Sequence, residues 1–113
     1  MTDYKQTITL NKNEMTRTEN LLTILSEECV ETAQRVSKAI RFTLSEILLW
    51  LNLTNAERIV YEFNDIVAVM EILKDEGVFE SIIDRDAIEK KKIKITKYLA
   101  YSIQIGTVSD SAN

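Results

Sequence analysis

The chain contains no proline and only two glycines, Gly77 and Gly106, among its 113 residues. Sandwiches and barrels need many tight turns, and such turns are built largely from glycine, proline and short polar residues. A chain so poor in glycine and proline is therefore restricted to a few connections between long elements. The sequence predicts an all-α fold, and its length predicts a single domain.

Hydrophobic periodicity predicts three long helices and one short helix that together form a helical bundle. Apolar residues recur at intervals of three, four and seven over about residues 18–42, 55–76 and 85–104. Gly77 and Gly106 follow the second and third of these segments, where a glycine commonly ends a helix. Residues 44–52, with the sequence LSEILLWLN, are predicted to form the short apolar helix.

The domain boundaries follow from changes in composition along the chain. Residues 1–16 are polar and are predicted to form an N-terminal arm, whereas residues 107–113 form a tail of small residues. The helical domain is expected to occupy residues 17–106. Within it, Trp50 lies in the short apolar segment and is expected in the core or at a dimer interface rather than stacked on a base.

The absence of histidine and the single cysteine, Cys29, exclude many kinds of site. Without an imidazole, one chain cannot form a Ser–His–Asp or Cys–His hydrolase, a histidine-ligated zinc site or a Glu-x-x-His di-iron centre. A single thiol excludes an intrachain disulfide, and we expect Cys29 to be a small buried residue in a reducing, cytoplasmic compartment. No apolar run approaches the roughly 20 residues of a membrane span, and the N-terminus lacks a signal-peptide pattern. Any metal must therefore be held by oxygen ligands.

The net charge of −4 is distributed unevenly. Residues 19–80 carry 12 acidic and 5 basic side chains, whereas residues 84–97 carry 6 basic and 3 acidic side chains. An acidic body argues against duplex nucleic acid as the main partner, because neutralisation of phosphates drives that binding. The lysine run Lys90–Lys97 is typical of a solvated helix face, and the alternative is a local phosphate-binding strip.

Two pairs of carboxylates border the apolar stripes of the first two helices. Residues three apart lie about 60° apart on a helix, so Glu28 points with Glu31, and Glu62 points with Asp65. Four carboxylates at the seam of two packed helices would repel each other and lose solvation. Mg²⁺ or Mn²⁺, which prefer carboxylate oxygen, would relieve both costs. The residues alone leave two interpretations open, a divalent metal site and a solvated acidic face.

The sequence EECVE at Glu27–Glu31, followed by EFND at Glu62–Asp65, resembles the EExxE…ExxD pattern of the MazG-like all-α nucleoside triphosphate pyrophosphohydrolases. The resemblance covers about residues 20–106 and is to the small single-domain members found in phages and bacteria. One departure is the gap of 30 residues between the two halves of the motif. The LSEILLWLN segment occupies part of this gap, and we interpret it as an insertion-like cap near the substrate site.

The resemblance implies hydrolysis of (deoxy)nucleoside triphosphates to the monophosphate and pyrophosphate. The cofactor would be Mg²⁺, with Mn²⁺ as an alternative, and the role would be control of nucleotide pools. By motif position the metal ligands would be Glu28, Glu31, Glu62 and Asp65. Glu27 would be the catalytic carboxylate that orients or deprotonates the attacking water. Members of the family are homodimers or homotetramers in which paired helices complete a four-helix core.

Positive charge is needed to complete the binding of the phosphates. The candidate substrate-binding residues lie on the first and third helices and are Arg35, Lys38, Lys91, Lys94 and Tyr98. Arg58 is four residues before Glu62, and this spacing predicts an ion pair between them. Two alternatives remain: a catalytically silent helical interaction protein with the same fold, and a narrower hydrolase acting on dUTP or phosphoribosyl-ATP.

Overall fold

The computed structural model describes residues 14–48 and 50–111. Three α-helices account for most of this part of the chain: α1 at Arg17–Phe42, α2 at Asn55–Asp75 and α3 at Arg85–Gln104. Two strands of two residues each, β1 at Ile47–Leu48 and β2 at Leu53–Thr54, lie between α1 and α2. The predicted all-α fold class is confirmed. Residues 1–13 of the predicted arm lie outside the described residues, as do the last two residues of the predicted tail.

The described residues form two compact units, one ending at Glu80 and the other beginning at Ser81. The first unit contains α1, the two strands and α2, and the second contains α3. Each described helix is too short or too polar to cross a membrane.

Each of the first two helices begins with a reciprocal pair of hydrogen bonds between a threonine and a glutamate. The Thr16 hydroxyl accepts from the Glu19 N–H at 3.1 Å, and the Glu19 carboxylate accepts from the Thr16 N–H at 3.0 Å. Thr54 and Glu57 make the same two contacts at 3.0 Å. These bonds satisfy backbone donors that have no partner within the helix, and they fix the start of α1 and α2.

The capping carboxylate of α2 makes the stability of the protein depend on pH. The Thr54 N–H and hydroxyl both donate to the Glu57 carboxylate and hold its pKa below the ordinary value. A lowered carboxyl pKa stabilises the fold above the ordinary pKa, and this stabilisation is lost as the pH falls through the pKa of the folded state. We expect Glu57→Gln to lower Tm at neutral pH, and the difference from the wild type to shrink between about pH 6 and pH 3.

Thermal unfolding followed by circular dichroism over that pH range measures this effect. Glu71→Gln is the matched control, because Glu71 is an exposed glutamate of the same helix. A difference between the wild type and Glu57→Gln that stays constant with pH would contradict the assignment.

The predicted glycine stops are confirmed. Gly77 and Gly106 follow the C-terminal caps of α2 and α3 with φ angles of 81° and 83°. This left-handed conformation carries little penalty for glycine, and it lets the chain leave the helix while its last carbonyls accept hydrogen bonds.

The prediction of a short helix at residues 44–52 is wrong. In place of the helix, β1 and β2 pair antiparallel, with Ile47 opposite Thr54 and Leu48 opposite Leu53. A helix of nine residues would extend about 14 Å. Here the end of α1 and the start of α2 touch, so the intervening segment must return to its starting point. Asn52, with φ at 54°, supplies a left-handed residue for that return.

A buried asparagine joins the end of α1 to the start of α2. The Asn55 side-chain amide donates to the Thr43 carbonyl at 2.8 Å and to the Glu46 carboxylate at 3.3 Å. At the other end of the two helices, Arg17 pairs with Glu76. Because the start of α1 lies beside the end of α2, and the end of α1 beside the start of α2, the two helices form an antiparallel hairpin.

The described residues bury very little apolar surface. Only Ala39, Val69 and Leu73 are buried apolar residues in this part of the chain, and of these Leu73 alone is fully buried. Trp50 is 79% exposed, so it is not a core residue of the single chain. Cys29 is also exposed, which corrects the prediction that it is buried.

Candidate metal centre

Three carboxylates converge between α1 and α2. Glu28 of α1 and both Glu62 and Asp65 of α2 each offer one oxygen, and these oxygens lie within 4.8 Å of one another. Glu28 and Glu62 are partly buried, whereas Asp65 is exposed. The three side chains thus form a cluster that is closed on its inner side and open to solvent at Asp65.

The two partly buried glutamates occupy positions where apolar residues would ordinarily pack. On each helix the least exposed residues recur at steps of three and four, which defines the row that faces the other helix. On α1 this row is Leu21, Leu25, Glu28, Thr32, Arg35 and Ala39. On α2 it is Asn55, Ile59, Glu62, Ile66, Val69 and Leu73. Glu28 and Glu62 therefore lie near the middle of the helix–helix seam.

Buried carboxylate oxygens in the cluster lack partners. Oε2 of Glu28 and Oε2 of Glu62 are inaccessible to solvent and accept no hydrogen bond from any described residue. Burial, followed by the charges of the neighbouring carboxylates, raises the pKa of Glu28; those neighbours are Glu31, Asp65, Glu62 and Glu27. Unpaired buried acceptors and crowded negative charges both destabilise the fold, so the cluster favours the binding of a cation.

One cation of the chain already lies beside the cluster. Nε of Arg35 is 3.6 Å from Oε1 of Glu62, and this pair crosses the seam between the helices. The predicted ion pair of Glu62 with Arg58 is replaced by this contact among the described residues. Burial lowers the pKa of Arg58, and the positive charge of Arg35 lowers it further. The sequence spacing indicates that Arg35 lies near the cluster, because Arg35 follows Glu28 by seven residues and therefore lies on the same face of α1.

The residues present fit a hard divalent cation. All three donors are carboxylate oxygens, which Mg²⁺ and Mn²⁺ prefer, and each glutamate has one buried oxygen with unused lone pairs. Opposite ligands of Mg²⁺ are about 4.2 Å apart at its usual bond length. Adjacent ligands are about 3.0 Å apart, so three oxygens that lie within 4.8 Å of one another would have to move closer by side-chain rotation to bind one ion.

Two of the five predicted motif carboxylates lie outside this close group in the described structure. Glu27 and Glu31 are exposed, although the charges of both raise the pKa of Glu28. Glu31 is therefore close enough to raise the pKa of Glu28, but it is not among the three residues whose oxygens lie within 4.8 Å of one another.

The predicted substrate-binding residues are divided between the two units. Arg35 contacts Glu62 of the carboxylate cluster, whereas Lys38 is exposed and lines a shallow cavity of about 470 Å³ on α1. Lys91, Lys94 and Tyr98 are exposed on α3, at spacings of three and four that place them on one face. Of the five predicted substrate-binding residues, Arg35 alone contacts the carboxylate cluster in the part of the chain that the structure describes.

No protein-family model matches the chain, and neither the curated proteins nor the solved structures compared with it gave a match. Membership of the MazG-like family therefore stays a prediction from the two-part motif.

Proposed function

We propose that the chain is a Mg²⁺-dependent nucleoside triphosphate pyrophosphohydrolase of the MazG-like type. The observation that supports this most directly is the convergence of Glu28, Glu62 and Asp65, with unpaired buried oxygens on both glutamates. These are three of the four positions that the motif assigns as metal ligands. Glu31 is proposed as the fourth, because it is exposed and adjacent to the cluster.

The proposed reaction is attack of water on the α-phosphorus of a nucleoside triphosphate. The new bond joins the water oxygen to the α-phosphorus, and the bond that breaks links the α-phosphorus to the α–β bridging oxygen. Pyrophosphate leaves with that oxygen, and the nucleoside monophosphate remains. Mg²⁺ held by the cluster would supply neutralisation of phosphate charge and acidification of a bound water.

The chain's own side chains have separate roles in this proposal. The Glu27 carboxylate accepts the proton of the attacking water. It is exposed beside the cluster, and it is not one of the carboxylates proposed to bind the ion. Arg35 holds Glu62 in place from the other helix. Lys38 is proposed to contact phosphate oxygens, and Lys91, Lys94 and Tyr98 remain candidates on α3.

A panel of nucleotides tests the function. Purified protein is incubated with each ribo- and deoxyribonucleoside triphosphate, dUTP and phosphoribosyl-ATP included, in Mg²⁺, in Mn²⁺ and in chelator. We expect monophosphate and pyrophosphate in equal amounts with the divalent ion and none with the chelator.

The products distinguish the alternatives. Release of orthophosphate and a diphosphate would contradict cleavage between the α- and β-phosphates. Turnover of a single member of the panel would identify the narrower hydrolase. Absence of turnover with every nucleotide would favour the catalytically silent interaction protein.

A further inference from the structure

Two partly buried arginines beside the carboxylate cluster have unused hydrogen-bond donors. Neither Arg35 of α1 nor Arg58 of α2 donates a hydrogen bond to any described residue, and their one ion pair among those residues is the contact of Arg35 with Glu62. Nε of Arg35 is inaccessible to solvent and has no acceptor, although 25% of the side chain is exposed. An arginine carries five N–H donors in a planar group, so the two side chains can bind further acceptors.

Both arginines lie on the side of the helix pair to which the cluster opens. On α2, Arg58 is turned by about 40° from Glu62, in the same sense as Asp65, which is turned by about 60°. On α1, Arg35 is turned by about 20° from Glu28, again in this sense. When two antiparallel helices face each other, the same sense of rotation away from the seam leads to the same side of the pair. The two guanidinium groups therefore lie on the side of the exposed Asp65.

The arginines also lie at one end of the cluster. Arg58 precedes Glu62 by four residues, which is about 6 Å along α2 toward the strands β1 and β2. Arg35 follows Glu28 by seven residues, which is about 10 Å along α1 toward the same strands. Lys38 is exposed one turn further in that direction. Negative and positive groups are thus adjacent but separate, with the carboxylates near the middle of the seam and the cations between them and the strands.

The two guanidinium groups are close enough to repel each other. Burial lowers the pKa of Arg58, the positive charge of Arg35 lowers it further, and the Glu62 carboxylate acts in the opposite direction. Two like charges at partly buried positions destabilise the folded protein, and an anion between them removes that cost. Glu62 cannot neutralise both arginines, and it neutralises neither while its charge is shared with a metal ion. The arrangement favours a ligand that brings several negative oxygens.

We propose that Arg35 and Arg58 together bind the pyrophosphoryl group of a nucleoside triphosphate, the part that leaves in the proposed reaction. Phosphate oxygens match the forked donors of arginine, which contact them in pairs. A pyrophosphoryl group has one phosphate for each guanidinium, and its remaining charge faces Lys38. The assignment rests on the proposed function in placing the α-phosphate at the carboxylates and the leaving group at the arginines, but binding of the anion requires no hydrolysis.

Binding of inorganic pyrophosphate to the full chain tests this proposal without turnover. Isothermal titration calorimetry at saturating Mg²⁺ gives the affinity of the wild type, Arg58→Gln and Arg41→Gln for pyrophosphate. Arg41→Gln is the matched control, because it removes the same charge from α1 at a position turned by about 140° from Glu28. The Arg41 guanidinium lies over the Phe42 ring, 4.8 Å from its centroid. Titration of each protein with Mg²⁺ alone, and Tm in chelator, are the accompanying measurements.

We expect Arg58→Gln to bind pyrophosphate at least about tenfold more weakly than the wild type, and Arg41→Gln to bind it equally well. A factor of ten represents 1.4 kcal/mol, which is no more than one hydrogen bond between charged groups contributes. Mg²⁺ alone should bind Arg58→Gln at least as tightly as the wild type, because loss of a nearby positive charge does not weaken a cation site. Its Tm in chelator should not fall, since Arg58 has no described partner to lose.

Equal pyrophosphate affinities of Arg58→Gln and the wild type would overturn the proposal, as would a wild type that does not bind pyrophosphate in Mg²⁺. A weaker Mg²⁺ affinity in Arg58→Gln would also overturn it, because Arg58 would then act by positioning Glu62. Failure of the proposed function gives a different result, in which pyrophosphate binds through Arg58 but no nucleoside triphosphate is hydrolysed. Hydrolysis with unchanged pyrophosphate affinity in Arg58→Gln would leave the function and remove this assignment.

Discussion

Asp65→Asn is expected to lower Mg²⁺-dependent hydrolysis of nucleoside triphosphates by at least about a hundredfold, because even the loss of a residue that supports a metal ligand commonly costs 10- to 100-fold. The substitution retains the shape of the side chain and replaces one carboxylate oxygen of the cluster by an amide nitrogen, which is a poor ligand for Mg²⁺. Glu28→Gln is expected to have the same effect. Initial rates at saturating Mg²⁺ measure the loss.

The same variants should not lose stability without metal. Each removes one negative charge from a crowded group, so Tm in chelator should equal or exceed that of the wild type. Addition of Mg²⁺ should raise Tm in the wild type and do so less in either variant, because a ligand that binds only the folded state stabilises it.

Glu71→Gln is the control for both measurements, since it removes an exposed carboxylate of α2 outside the cluster. It should leave the rate and the Mg²⁺-dependent rise in Tm unchanged. Full activity in Asp65→Asn or Glu28→Gln would place the reaction elsewhere on the protein.

Leu73→Ala is expected to lower the free energy of unfolding by about 2–5 kcal/mol. Leu73 has 0% exposure and is the largest fully buried side chain of the described residues. Alanine removes its packing and leaves a cavity between α1 and α2, in a unit with few other buried apolar residues to compensate. Denaturant unfolding at a fixed protein concentration measures the change.

Ile72→Ala provides the comparison for this substitution. Ile72 is adjacent in the chain but 43% exposed. Its truncation should cost about 1 kcal/mol or less, because only part of the side chain leaves an apolar environment. Equal losses at positions 72 and 73 would show that burial at the seam is not what stabilises the unit.

Sequence predicted the three long helices well because their boundaries are encoded locally. Thr54 with Glu57 starts α2, and Gly77 and Gly106 follow the ends of α2 and α3. The prediction of a short helix failed because the conformation of this segment depends on a contact between the residues at its two ends. The contact between Asn55 and Thr43 requires the intervening segment to return to its start, and periodicity over nine residues carries no information about that contact.

Three of the carboxylates named from the sequence, Glu28, Glu62 and Asp65, lie together, but the rotation of α1 about its axis was not predicted. Cys29 of α1, which was expected to be buried, is exposed, and so are the apolar residues Val36 and Ile40 of the same helix. The row at the seam instead runs through Glu28 and Arg35. Because α1 has two partly apolar sides, periodicity could not decide which one faces α2, and the contact of Arg35 with Glu62 depends on that rotation.

The junction at Asn55 also decides where this chain can tolerate changes in length. Backbone bonds from Asn55 N–H to the Glu46 carbonyl and from Ala56 N–H to the Leu44 carbonyl, both 3.0 Å, close the chain on itself next to the side-chain bond to Thr43. Residues 47–53 lie beyond this closure, so insertions or deletions there leave the register of α1 against α2 unchanged. Inserting or deleting one residue inside either helix, between this closure and the carboxylates, rotates the rest of that helix by about 100° about its axis. Such a rotation separates Glu28 from Asp65. The segment that contains β1 and β2 is therefore the place where related chains can diverge in length while the carboxylate cluster stays intact.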